Sequence, residues 1–113
     1  MKLTDTTTVL DREQLRDITL DDEDLMREVL AALIDDTSRQ ILLLETAIRE
    51  QDAGRCMRLA HYSKGACANV GALAAATVLK NIEHDASLGQ FPQCGTSLAA
   101  LNREMDRLRH CCL

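Results

Sequence analysis

Leu98, Leu101, Met105, Leu108 and Cys112 follow one another at alternating steps of three and four residues, the spacing that aligns side chains along one face of an α-helix. The same rhythm runs through Leu25, Met26, Val29, Leu30, Leu33 and Ile34, resumes at Ile41, Leu44 and Ile48, and returns in Leu73, Ala75, Val78, Leu79 and Ile82. Several such stripes can leave water only by packing against one another, so the pattern predicts an all-α fold. Aromatic residues, which favour strands, make up only 2% of the chain, as Tyr62 and Phe91, so the core must be aliphatic. At 113 residues there is material for one core and no second module, and residues 1–113 are expected to form one domain.

Capping residues punctuate the stripes. Asp11 with Gln14 three positions later resembles a capping box and opens a short helix over about 11–18. Asp21 can cap a second helix from about 22, where Asp22, Glu23 and Asp24 suit the positive end of a helix dipole. Asp35, Asp36, Thr37 and Ser38 interrupt the apolar rhythm with four residues that favour caps, which predicts a break or bend before the pattern continues to Glu50. Asp52 caps a helix over about 53–69, Gly71 marks a stop and restart, and a further helix reaches about Leu88. Residues 88–95, with Gly89, Pro92 and Gly95, read as a loop, and the last helix is expected to start near Thr96 or Ser97. Short connections favour antiparallel neighbours, giving an up-and-down four-helix bundle with one or two additional short N-terminal helices.

Charge and cysteine usage narrow the function classes. A net charge of −5 and the lack of any basic cluster argue against nucleic-acid binding, which depends on displacing phosphate counterions. The longest apolar runs, such as Ile41 to Leu44, fall far short of the ~20 residues of a membrane span. The first residues lack the apolar stretch of a secretory signal, so the chain reads as cytoplasmic, and nothing in it suggests an obligate dimer, so a monomer is expected. Five cysteines, an odd number without C-x-x-C spacing, imply neither a disulfide framework nor a metal site. Cys56 and Cys67 fall on an apolar stripe as small hydrophobes, whereas Cys111 and Cys112 are expected at a frayed end, reactive only by exposure. His84 and His110 read as surface residues.

The helix over 53–69 carries the chemical signal. Cys56, Leu59, Ala60, Ser63, Ala66, Cys67 and Val70 form one small or apolar stripe, while Gly54, Met57, Arg58, His61, Lys64, Gly65 and Ala68 form the opposite face. His61 therefore points outward with Lys64 and Gly65 at i+3 and i+4. Glycine inside a helix costs roughly 0.5 to 1 kcal/mol relative to alanine, so Gly65 calls for a compensating use. Its missing side chain clears space beside the imidazole, and Lys64 offers a positive charge to any anion on the ring. Taken singly, Lys64 reads as a solvated residue and Gly65 as a site of close helix packing.

The stretch Ala60-His61-Tyr62-Ser63-Lys64-Gly65, continued by Ala68-Asn69-Val70-Gly71-Ala72 and then Ile82-Glu83, resembles the histidine phosphotransfer (HPt) domain family, whose members carry His-x-x-Lys-Gly, Asn-x-Gly-Ala and a downstream Leu-Glu. The resemblance covers essentially the whole chain. It implies that His61 is the phosphoacceptor, that Lys64 supports the phosphoryl group and that Gly65 admits the partner's acyl-phosphate loop. Glu83 matches a position from which a Gln or Glu can orient the ring, and Met57, Arg58, Tyr62 and Ala68 would form the docking face. Ser63 departs from the family's aliphatic residue, a change expected to loosen the packing beneath His61 while leaving the reactive face intact.

Imidazole, with an ordinary pKa of ≈ 6.5, is largely unprotonated at neutral pH and needs no general base to act as a nucleophile. The expected partners are receiver domains of response regulators and hybrid histidine kinases, and the receiver is expected to supply the divalent metal ion. No G-x-x-x-x-G-K-[ST] phosphate loop is present, and no cofactor is expected. The implied role is a phosphocarrier, not an enzyme. The alternative is a helical module that sequesters a receiver or other regulator without carrying phosphate, and a purely structural bundle would bind no receiver at all.

Overall fold

The computed structural model describes residues 8–113 as five helices, α1 (Arg12–Ile18), α2 (Glu23–Arg49), α3 (Ala53–Val70), α4 (Leu73–Ser87) and α5 (Phe91–Cys112). Helices α2 to α5 close a four-membered bundle in which α3 packs on α2 and α4, and α5 on α4 and α2. Helix α1 lies across α2 and α3, so among the described residues there is one additional N-terminal helix. The core is aliphatic, built on Leu30, Leu44, Leu79, Ile82, Leu101, Met105 and Leu108, all fully buried. None of the described helices is long and apolar enough to cross a membrane.

Three helices begin on an aspartate whose side chain accepts an N–H of the first turn: Asp11 from Gln14, Asp22 from Leu25 and Asp52 from Arg55. The second of these caps falls on Asp22 and not on Asp21, because Leu20 and Asp21 adopt left-handed backbone conformations in the turn after α1.

Helix α2 is continuous through Asp35 to Ser38, where the sequence predicts a break. Each of these polar side chains has a partner that stabilises the helix. Asp35 pairs with Arg39 at 2.7 Å, Asp36 accepts the Tyr62 hydroxyl at 3.1 Å, and Ser38 accepts Arg109 at 2.9 Å. Thr37 is buried with its Oγ1 3.9 Å from Cys67 Sγ. The start of α5 also differs from expectation. Only residues 88–90 connect it to α4, and the helix opens at Phe91. Pro92 sits in the first turn, where its missing N–H costs nothing. Cys94 fastens this turn, fully buried, with its thiol 3.7 Å from the Ile82 carbonyl. Helix α5 runs on to Cys112, and a disulfide joins Cys111 to Cys112 where a frayed end with free thiols was expected.

Gly71 ends α3 with φ +98° and sets the position of α1. Its carbonyl accepts the Asp11 N–H at 2.8 Å, and a Cβ built on it would lie 2.8 Å from the Asp11 carbonyl oxygen. Glycine is thus required twice here, for the left-handed backbone and for the close approach. Gln14 of α1 completes the contact, donating to the carbonyls of Ala68 and Asn69.

Candidate functional site

Helix α3 turns its small and apolar stripe to the core as expected: Cys56, Ala60, Ser63, Cys67 and Val70 are buried, with Leu59 and Ala66 half-buried. Burial of that stripe fixes the rotation of the helix and puts His61 outside, with 70% of its side chain exposed. Beneath it Ser63 is 1% exposed and its hydroxyl has no hydrogen-bond partner.

From α4, Glu83 reaches across to α3. Its Oε2 lies 3.1 Å from His61 Nδ1 and its Oε1 accepts Lys64 Nζ at 2.7 Å. The carboxylate thus ties together the two residues that one turn of α3 places side by side. The hydrogen bond from Lys64 holds the Glu83 carboxyl below the usual carboxylate range, outweighing the partial burial that pushes it up, and the Lys64 charge and the His61 contact add to the lowering. Glu83 is therefore ionised at neutral pH. An ionised carboxylate can only accept, so Nδ1 carries the proton and donates to Glu83. The ring's other nitrogen, Nε2, keeps its lone pair for a reaction partner. Lys64 is also committed: it rests on Glu83 beside His61.

Gly65 is exposed, and a Cβ built on it would meet no atom within 4 Å. Nothing in the described fold occupies that space, which removes close helix packing as the reason for glycine here. The notch opens outward next to His61.

Met57, Arg58, His61, Tyr62 and Glu83 line one shallow depression, so three of the expected docking residues surround the imidazole. The fourth, Ala68, is exposed but lies nearly two turns further along, where Gln14 binds its carbonyl at 2.6 Å. An adjoining groove between α2 and α3 is lined by Gln40, Arg55, Arg58, Leu59 and Tyr62. The Tyr62 hydroxyl is held by Asp36, whose hydrogen bond and charge raise the phenol above its ordinary pKa. Sequence reasoning missed Asp36, Gln40 and Arg55 as neighbours of the site. The contacts of Asp36 and Gln40 cross between helices and leave no trace in local spacing, whereas Arg55 lies two turns before His61 on the same helix. His84 and His110 are exposed, as expected. Among the described residues no three His, Cys, Asp or Glu side chains converge on a possible metal position.

The family model described as Hpt domain matches residues 28–111, the segment that holds α3, α4, α5 and nearly all of α2. The chain belongs to the Hpt domain family. Its fold matches the crystal structure of histidine-containing phosphotransfer protein B (HptB) from Pseudomonas aeruginosa PAO1 with a TM-score of 0.81 and 26% sequence identity, covering 89% of this chain and 88% of that one. Comparison with curated proteins gives no match. Hpt proteins are phosphocarriers in phosphorelays, and a histidine phosphotransfer role for this chain follows from the family and from its structural neighbour.

Proposed function

We propose that His61 is the phosphoacceptor of a phosphorelay, taking a phosphoryl group from the aspartyl phosphate of a receiver domain, or from a histidine kinase, and passing it to another receiver. The observation that carries this reading is the placement of His61: 70% exposed, held at Nδ1 by Glu83 and flanked by the open notch at Gly65.

In the proposed step Nε2 attacks phosphorus in line with the departing aspartyl oxygen. An N–P bond forms, the P–O bond of the acyl phosphate breaks, and the receiver's aspartate leaves as a carboxylate. Nδ1 keeps its proton, so the ring becomes cationic as the bond forms, and the Glu83 carboxylate 3.1 Å away stabilises that charge. Lys64, already beside the ring, can turn part of its ammonium to the phosphoryl oxygens. Glu83 thereby positions His61 and Lys64 and offsets the ring's charge. The divalent ion belongs to the receiver, together with its acidic pocket. Met57, Arg58 and Tyr62 form the docking face around the histidine.

Incubation with a phosphorylated receiver tests the proposal. The chain should acquire an acid-labile, alkali-stable phosphate, and His61→Gln should remove that labelling while keeping the helical circular dichroism. A stable complex without any transfer would instead identify a sequestering module.

A further inference from the structure

The five cysteines divide by environment. Cys56, Cys67 and Cys94 are fully buried, and burial pushes the Cys67 and Cys94 thiols up to about 11. Such thiols are poor nucleophiles. Cys111 is exposed and Cys112 half-buried on the last turn of α5, where the two are joined to each other. Both line a cleft of about 440 Å³ between α1, the start of α2 and the end of α5, whose charged side chains are Arg12, Arg16, Arg27, Asp21 and Glu23 and which Leu113 also lines. Arg16 is paired with Asp21 and Arg27 with Asp24. Arg12 is the cation turned to the sulfurs, donating to the Cys111 carbonyl at 3.3 Å and lying 3.6 Å from Cys112 Sγ.

We infer that Cys111 and Cys112 form a reversible thiol–disulfide pair, and that the cleft beside Arg12 admits a small anionic disulfide of the glutathione class as its exchange partner. The C-terminal end of a helix disfavours a thiolate, and the Arg12 guanidinium offsets that effect and attracts the partner's carboxylates. In the oxidising direction one protein thiolate attacks the small disulfide, whose S–S bond breaks and releases one thiol. The neighbouring cysteine, lacking only its proton, then attacks the protein sulfur of the mixed disulfide and expels the second thiol. The protein gives up two electrons and two protons, and the small disulfide becomes two thiols. Adjacency in the chain makes the second step intramolecular. None of the residues around His61 lines this cleft, so the inference stands apart from the phosphoacceptor proposal.

The test uses the full chain, reduced and then exposed to glutathione disulfide, with free thiols trapped by N-ethylmaleimide before denaturation. The tryptic peptide His110 to Leu113 should lose about 2 Da, the two thiol hydrogens, and regain them in dithiothreitol. Cys56, Cys67 and Cys94 should take up label only after unfolding. Cys112→Ser should stop at a glutathione adduct on Cys111, and Arg12→Ala should close several-fold more slowly. A persistent glutathione adduct or a disulfide-linked dimer of the unsubstituted chain would overturn the inference, as would closure of the Arg12→Ala chain at the parent's rate.

Discussion

Glu83 Oε2 lies 3.1 Å from Nδ1 of His61, bringing together residues 22 positions apart on α4 and α3. The contact decides which ring nitrogen carries the proton. It accounts for a hydrogen-bond acceptor at position 83, since a group that accepts from Nδ1 holds the proton there and leaves Nε2 free. Glu83→Ala should lower the phosphotransfer rate about ten-fold, equivalent to about 1.4 kcal/mol in the barrier. Glu83→Gln, whose carbonyl oxygen can still accept from Nδ1, should lose less. Nitrogen-15 chemical shifts of the His61 ring in the two variants check the cause, because the tautomer should become mixed in the alanine variant only.

Gly65 separates function from stability. A Cβ there meets open space, and glycine in a helix interior is worse than alanine by roughly 0.5 to 1 kcal/mol, so Gly65→Ala should raise the stability of the isolated chain by about that amount. Gly65→Leu should fold as well, yet cut transfer from a receiver at least ten-fold by filling the notch beside His61. Urea denaturation and single-turnover transfer on the same samples measure both effects.

Gly71 is the opposite case. Alanine at φ +98° is strained, and its Cβ would press on the Asp11 carbonyl, so Gly71→Ala should destabilise the fold by roughly 1–3 kcal/mol and loosen α1 first. Amide exchange should show the loss of protection concentrated over Arg12–Ile18.

Ser63 buries a hydroxyl without a partner, where the sequence suggested looser packing beneath His61. Ser63→Ala removes an unsatisfied polar group and improves helix propensity, and should stabilise the chain by about 1 kcal/mol. Thermal unfolding of the variant should show a higher midpoint.

The Glu83 carboxyl titrates below the ordinary range in the folded chain, so its contribution to stability is complete above the unfolded-state value and is lost as pH falls through the lowered one. The parent should exceed Glu83→Gln in stability at neutral pH, and the two should converge in acid. Equilibrium unfolding across that range measures the difference, which should stay within about 1 kcal/mol for a pair that solvent still reaches.

The reactive face was legible because its elements lie on one helix: His61, Lys64 and Gly65 are related by i+3 and i+4 spacing, and the buried stripe of α3 fixes their direction. Glu83 came from the resemblance to Hpt domains, since no local pattern connects α4 to α3. What escaped the sequence depends on contacts between distant segments. Asp36, Thr37 and Ser38 look like a helix interruption until Tyr62, Cys67 and Arg109 from other helices meet them. Pro92 reads as a loop residue until the burial of Cys94 shows that the turn holding both is the first of α5. Both errors came from giving a capping preference or a proline its local meaning where tertiary packing gave it another.

The most direct test of the proposed role is to locate the phosphate. After incubation with a phosphorylated receiver, the tryptic peptide Leu59 to Lys64, in which His61 is the one histidine, should carry the phosphoryl mass increment, and phosphorus NMR should place it on Nε2. Phosphate on His84 or His110, or attached through Nδ1 of His61, would contradict the account.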